Sequence, residues 1–215
     1  MAKTHHQFVR FVKQHLAEYG MKLIIGRGKL VNTGHGRCEG YFNEIEKVIK
    51  IAGDNQYFLQ TLVHEYAHFL QYINQVQVYT KSDKAGLIVE NWFNGREYDK
   101  KTLKRAFLLV RAMERDCEKR ALKLIDEFNL KIDKKLYAKR ANCYIYTHFL
   151  MEKTRKYGTY RKSPYFSKYV LKIMPSNMAV LSHRSIPPKI YSILESFTLW
   201  DFRYCEINLV KSSLP

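Results

Sequence analysis

Residues 59–72 read LQTLVHEYAHFLQY, with His64 and His68 four apart, Glu65 directly after the first, and apolar residues on either side. Four-residue spacing aligns side chains on a helix, where positions i and i+4 lie one turn apart on one face. Leu59, Leu62, Val63, Ala67, Phe69 and Leu70 give that helix enough apolar surface to be buried. The chain must therefore build a core around a helix that carries two imidazoles and a carboxylate. The pattern predicts helix over about 55–75, with Asp54 or Asn55 as its cap.

The remaining chain is organised around that helix. Phe8, Val9, Phe11, Val12 and Leu16 repeat at near-helical spacing over 5–19 and stop at Gly20. Residues 21–25 read as a short buried strand, and 26–40, with five glycines, as turns between strands. Neither G-x-G-x-x-G nor a terminal G-K-[ST] occurs in that glycine-rich stretch, which excludes a phosphate loop. Residues 41–52 predict another strand or hairpin arm, with an edge suited to pairing with an extended peptide. A connector with some structure spans 76–99, a long helix 102–128 ends near Asn129, and helix resumes from 133 to about 157. A short helix near 164–174 and a tail punctuated by Pro175, Pro187 and Pro188 complete the chain. The expected class is α+β, mainly helical, with a small N-terminal sheet. The expected organisation is a core over 1–130 and a basic, mainly helical extension over 131–215 packed on it as one compact unit.

The chemistry follows from residue types. His64 and His68 can turn imidazole nitrogens toward one point and supply two ligands to a zinc ion. Glu65 sits beside that point, where it can hold and deprotonate a metal-bound water. The alternative is that both histidines are merely satisfied core or surface residues. A catalytic zinc needs a third protein ligand and an open fourth position. Position 71 is Gln and position 74 is Asn, so the extended pattern with a third histidine is absent, and no histidine follows until His148. The 102–128 helix offers Glu114, Asp116 and Glu118. Glu118 is the first choice and Glu114 the second, because small Ala121, three residues after Glu118, lets the two helices approach closely. Tyr144, Tyr146 and His148 are the candidate donors to a developing oxyanion.

The segments TLVHEYAHFLQ and EKRALKLI together resemble zincin metallopeptidases of the gluzincin type, in particular the ImmA/IrrE-like group of phages and mobile elements. The resemblance covers about residues 40–130. It implies a zincin-like fold, one zinc per chain on His64, His68 and Glu118, Glu65 as catalytic base, and endopeptidase activity on specific protein targets. In that mechanism Glu65 takes a proton as a zinc-bound water attacks the peptide carbonyl, then passes it to the leaving amine.

Charge adds a second theme. Lys and Arg number 37 against 20 Asp and Glu, a formal net charge of +17, which attracts polyanions. The excess gathers at 100–105, 131–140 and 153–169. In the last stretch Arg155, Lys156, Tyr157, Tyr160, Arg161 and Lys162 mix cations with aromatic rings, a composition that can stack bases and neutralise phosphates. SprT-like proteases, which this chain resembles only in its five-residue motif, also join H-E-x-x-H to DNA, but the later histidine and cysteine ribbon of that group are missing. Two further readings therefore stand beside the peptidase: a nucleic-acid-binding or inhibitory protein on a zincin scaffold with little or no peptidase activity, and a DNA-associated zinc protease. Four cysteines without C-x-x-C spacing argue against a disulfide framework, and no run of about 18 apolar residues occurs. The expected setting is a reducing cytoplasm, that of the host for a phage protein, with no membrane partner.

Overall fold

A computed structural model describes residues 3–33, 36–155, 163–178 and 183–198. Helix α1 (Lys3–Glu18) leads into strand β1 (Lys22–Gly26), a small pair β2 (Val31–Asn32) and β3 (Arg37–Cys38), and the hairpin β4 (Gly40–Asn43) and β5 (Val48–Ala52). Six α-helices follow among the described residues: α2 (Phe58–Ile73), α3 (Gln77–Phe93), α4 (Lys100–Glu127), α5 (Lys134–Thr154), α6 (Lys168–Ile173) and α7 (Pro188–Thr198). The fold is thus α+β and mainly helical. No described helix is long and apolar enough to cross a membrane.

The three-stranded sheet runs β1-β5-β4, with β1 parallel and β4 antiparallel to the central β5. Strand β5 reads VIKIA, and four of its five residues are buried, as a strand covered on both faces requires. Strand β4 lies at the sheet edge, directly against α2. Gly40 is what permits this approach: a Cβ there would meet the Lys50 carbonyl oxygen and the Thr61 Cγ2 at 2.9 Å each.

Helix α2 is buried because Leu62, Val63, Tyr66, Ala67 and Phe69 cover much of its circumference. Each large side chain among them contributes about 1.5–3 kcal/mol by leaving water. At its start Asn55 shapes the entering turn, accepting from the Tyr57 amide at 2.7 Å and donating to the Lys29 carbonyl at 2.8 Å, while Asp54 is occupied by the Gly28 amide. Asn55 thus acts two residues ahead of the N-cap, Tyr57. The helix ends where Gln75 takes a positive φ of 48°.

Helix α4 presents Val110, Glu114, Cys117, Glu118, Ala121 and Ile125 as one buried stripe. Asp99 caps it, accepting from the Lys101 and Thr102 amides. Cys117, Ala121, Leu124 and Ile125 join the core formed with α1, β5 and α2. Ala121 is fully buried within that core, alongside the α2 side chains.

The 76–99 connector holds the helix α3 over Gln77–Phe93. Ala85, Val89 and Trp92 of α3 pack against Ala106, Phe107 and Val110 of α4 in a separate cluster. Beyond 131, α5 is part of the main core rather than an addition to it, since Tyr137, Ala141 and Ile145 pack with the α1, α2 and α4 side chains. Its opposite face, Cys143, Tyr146 and Leu150, carries α6 and α7 in another cluster. Pro188 begins α7, where its missing amide hydrogen costs nothing.

Candidate metal centre

The α2–α4 contact places two imidazoles and two carboxylates in one buried space. The Nε2 atoms of His64 and His68 stand 3.1 Å apart. Glu114 Oε2 lies 3.7 Å from the first and 3.5 Å from the second. Three donor atoms on a tetrahedral zinc, each about 2.0–2.2 Å from the ion, would be separated by about 3.3 Å.

The hydrogen-bond network fixes which nitrogens carry protons. The Gln71 amide donates to the Met113 carbonyl at 3.1 Å and to Asp116 Oδ2 at 2.8 Å, which turns its oxygen toward His68 Nδ1 at 2.9 Å. That oxygen can only accept, so His68 Nδ1 is the protonated nitrogen. On His64 the same role falls to Glu118, whose Oε1 is 3.1 Å from Nδ1 and whose Oε2 accepts from the Tyr137 hydroxyl at 2.6 Å. Neutral His64 and His68 therefore direct two lone pairs at each other and at a carboxylate oxygen. Glu114 Oε2 is buried and has no hydrogen-bond partner. Three acceptors facing one another in a dry space repel unless a cation lies among them.

Protons answer the same demand. Burial alone would depress His68, but Glu114 outweighs it and raises this histidine to about 9. Burial likewise opposes the His64 imidazolium, and the Glu118 carboxylate at Nδ1 outweighs it and raises His64 above the usual histidine range. Glu114 is held down at about 2, its burial overcome by His68 and His64.

Of the two carboxylates predicted as third ligand, Glu114 stands at the point shared by the Nε2 atoms, and Glu118 stands on the far side of the His64 ring. Glu114, the second choice, is thus the one of the two that lies near both Nε2 atoms. Asp116 faces Gln71 and Arg120 instead. Sequence reasoning passed over Cys117. His64, His68 and Cys117 place donor atoms within 4.8 Å of one another. Its Sγ, however, is 3.7 Å from His64 Nδ1, the nitrogen already turned to Glu118, and donates to the His64 carbonyl at 3.4 Å. Burial also pushes the thiol far up, away from the thiolate a metal needs. Gln71 was missed as well, although its place three residues after His68 was the available signal.

Glu65 is buried next to the histidines and accepts from the Phe42 amide of β4 at 2.8 Å through Oε2. Burial raises its carboxyl above the ordinary glutamate value. This contact uses one outward amide of the β4 edge, so the part of the predicted peptide-pairing edge at Phe42 is occupied by Glu65. A cleft of about 270 Å³ opens beside His64 and Glu65, with Tyr137, Tyr144 and Arg140 in its wall.

The three predicted oxyanion donors separate. Tyr144 lines the cleft, with its hydroxyl 3.5 Å from Glu114 Oε1. His148 is buried behind it, its Nδ1 3.1 Å from the Tyr144 carbonyl, and burial lowers it so that the ring stays neutral. Tyr146 points to the opposite face of α5, into the cluster with Leu150 and Val170.

Of the residues predicted to meet nucleic acid, Lys156, Tyr157, Tyr160, Arg161 and Lys162 lie outside the described residues. Arg155 is partly exposed, but its guanidinium is engaged within the protein. It donates to the Trp92 and Arg96 carbonyls, pairs with Glu97 and lies over the Trp92 ring, tying the end of α5 to that of α3.

No protein-family model matches the chain, and neither a curated protein nor a solved structure shows a significant match to it.

Proposed function

We propose that the chain is a zinc-dependent endopeptidase with a zincin-like core, holding one zinc ion through His64 Nε2, His68 Nε2 and Glu114. The observation that carries this reading is the convergence of those three donor atoms, with Glu114 Oε2, which has no hydrogen-bond partner, among them and Glu65 alongside. Two nitrogens and one carboxylate oxygen are the donor set of a catalytic rather than a structural zinc site. When bound, zinc would supply Lewis acidity toward a carbonyl oxygen and would activate water.

The protein's own groups divide the remaining work. Glu118 and Gln71 each hold a histidine Nδ1–H, fixing the ring so that Nε2 faces inward. Tyr137 fixes Glu118 in turn. The Phe42 amide pins one oxygen of Glu65, leaving Oε1 to accept a proton from water and return it to the departing amine. Tyr144, on the cleft wall, is the side chain placed to donate to an oxyanion. His64 is more exposed than His68, Glu114 and Glu118 and lines the cleft, so the cleft side is where substrate arrives.

A peptide mixture incubated with the zinc-loaded protein and read by mass spectrometry tests this. Cleavage is expected, and Glu65→Gln should lower it by about 10²–10⁴-fold while retaining zinc. Equal cleavage by the variant, or none by the zinc-loaded parent, would remove the peptidase reading.

A further inference from the structure

The cleft extends from His64 toward the start of α2, and its wall there carries a cation without an anion. Arg140 reaches across from α5. Its Nη1 donates to Gln60 Oε1 at 3.1 Å and its Nη2 to the Tyr57 hydroxyl at 3.1 Å, both neutral acceptors. Its Nε is buried without a partner, and among the described residues no carboxylate lies within ion-pair distance of it. The guanidinium is held in place, lying 4.1 Å above the Tyr57 ring, which itself stacks on Phe166 at 5.1 Å. A partly desolvated cation fixed against neutral groups gains most from an incoming anion. The N-terminal end of α2 adds positive potential at the same place.

Position along the helix sets the distance to the chemistry. Gln60 precedes His64 by four residues, a rise of about 6 Å. An extended peptide advances about 3.3 Å per residue, so a group on Arg140 sits one or two residues from a carbonyl at the His64–Glu65 end of the cleft.

We propose that Arg140 forms a carboxylate-binding subsite of this cleft, which selects peptides carrying a carboxylate one or two residues from the bond to be cut. The carboxylate comes from an acidic side chain or from the peptide's own C-terminus, and this selectivity rests on the peptidase reading above. The planar fork of arginine fits a carboxylate through two parallel N–H donors, whereas lysine offers a point charge.

Equilibrium binding to the full, zinc-loaded chain tests the subsite without requiring turnover. Two sets of short acetylated peptides serve as probes, one differing in Asp against Asn at each internal position, the other in a free acid against an amide at the C-terminus. Carboxylate members of one set should bind about 10–100-fold more tightly than their amides. Arg140→Gln should abolish that ratio and Arg140→Lys should keep part of it, both variants holding zinc and the parent circular dichroism. Which set shows the ratio identifies the source of the carboxylate. Equal binding of acid and amide, absence of binding by every peptide, or a ratio unchanged in Arg140→Gln overturns the subsite. Cleavage of the same peptides is scored separately, so a chain that binds carboxylates but cuts nothing would fail the peptidase reading alone.

Discussion

Glu118 Oε1 lies 3.1 Å from His64 Nδ1, across the ring from the Nε2 that meets His68 and Glu114. A carboxylate at Nδ1 makes Nε2 a better metal ligand, by fixing the tautomer and raising the basicity of the ring. The two glutamates, one helical turn apart on α4, thus meet opposite nitrogens of the same histidine, and in the proposed site would take different tasks there.

Metal content separates those tasks. Protein purified without chelator should carry about one zinc per chain, and His64→Ala, His68→Ala and Glu114→Ala should lose it. Glu118→Gln and Gln71→Ala should keep a site about 10–100-fold weaker, and Cys117→Ser should be close to the parent. Elemental mass spectrometry and competition with a chromogenic chelator measure both quantities. Retention of zinc in Glu114→Ala together with its loss in Cys117→Ser would transfer the third position to the thiol.

The metal-free protein should lose stability as pH rises. His68 has an ordinary value of 6.5 and is raised to about 9 in the fold, chiefly by Glu114 against the opposing effect of burial. A raised histidine stabilises the fold fully below its unfolded value and ceases to do so as pH climbs through the folded one. Between pH 6.5 and 9 the metal-free Tm should therefore fall, by at least about 2–4 °C for each 1 kcal/mol lost. Zinc replaces the protons, so its stabilising increment should widen over the same interval. Thermal scans with and without metal follow this, and a metal-free Tm that stays level or rises would contradict it.

Gly40 ties the position of β4, and with it the Phe42 amide, to that of α2. A methyl group there would approach Ile51 Cδ1 to 2.6 Å as well as the Lys50 carbonyl and Thr61, pushing β4 off α2. Gly40→Ala should cost about 1–3 kcal/mol in denaturant unfolding. Because the Phe42 amide on β4 holds Glu65, turnover should fall while zinc content is kept. Parent-like stability in this variant would show that β4 can move away freely.

The α2 helix could be read from sequence because its evidence is local: His64 and His68 at i and i+4, Glu65 between them, apolar residues on the remaining sides. The long α4 helix, the α1 helix and the strand-turn-strand passage before α2 were legible for the same reason, within a few residues at each end. Helix α3 was harder to see because its central Gly86 and its β-branched start, near Val76 and Val78, resemble a connector. What makes it a helix is burial of Ala85, Val89 and Trp92 against α4, a partner more than ten residues away in the chain.

The choice between Glu114 and Glu118 lay outside the sequence altogether. Both are at buried positions of one stripe on α4, four residues and about 6 Å apart, so local pattern treats them alike. Sliding α4 by a single turn would exchange them, and what fixes its register is the packing of Cys117 and Ala121 against α2 and the grip of Tyr137 from α5 on Glu118. The same holds for Arg140, which is one of many cations in a basic stretch until α5 docks beside α2 and leaves it without an anion. Sequence determined which residues share a helix face; only the packing of three helices decided which atoms meet, because donor distances of 3–4 Å depend on side chains brought together from remote parts of the chain.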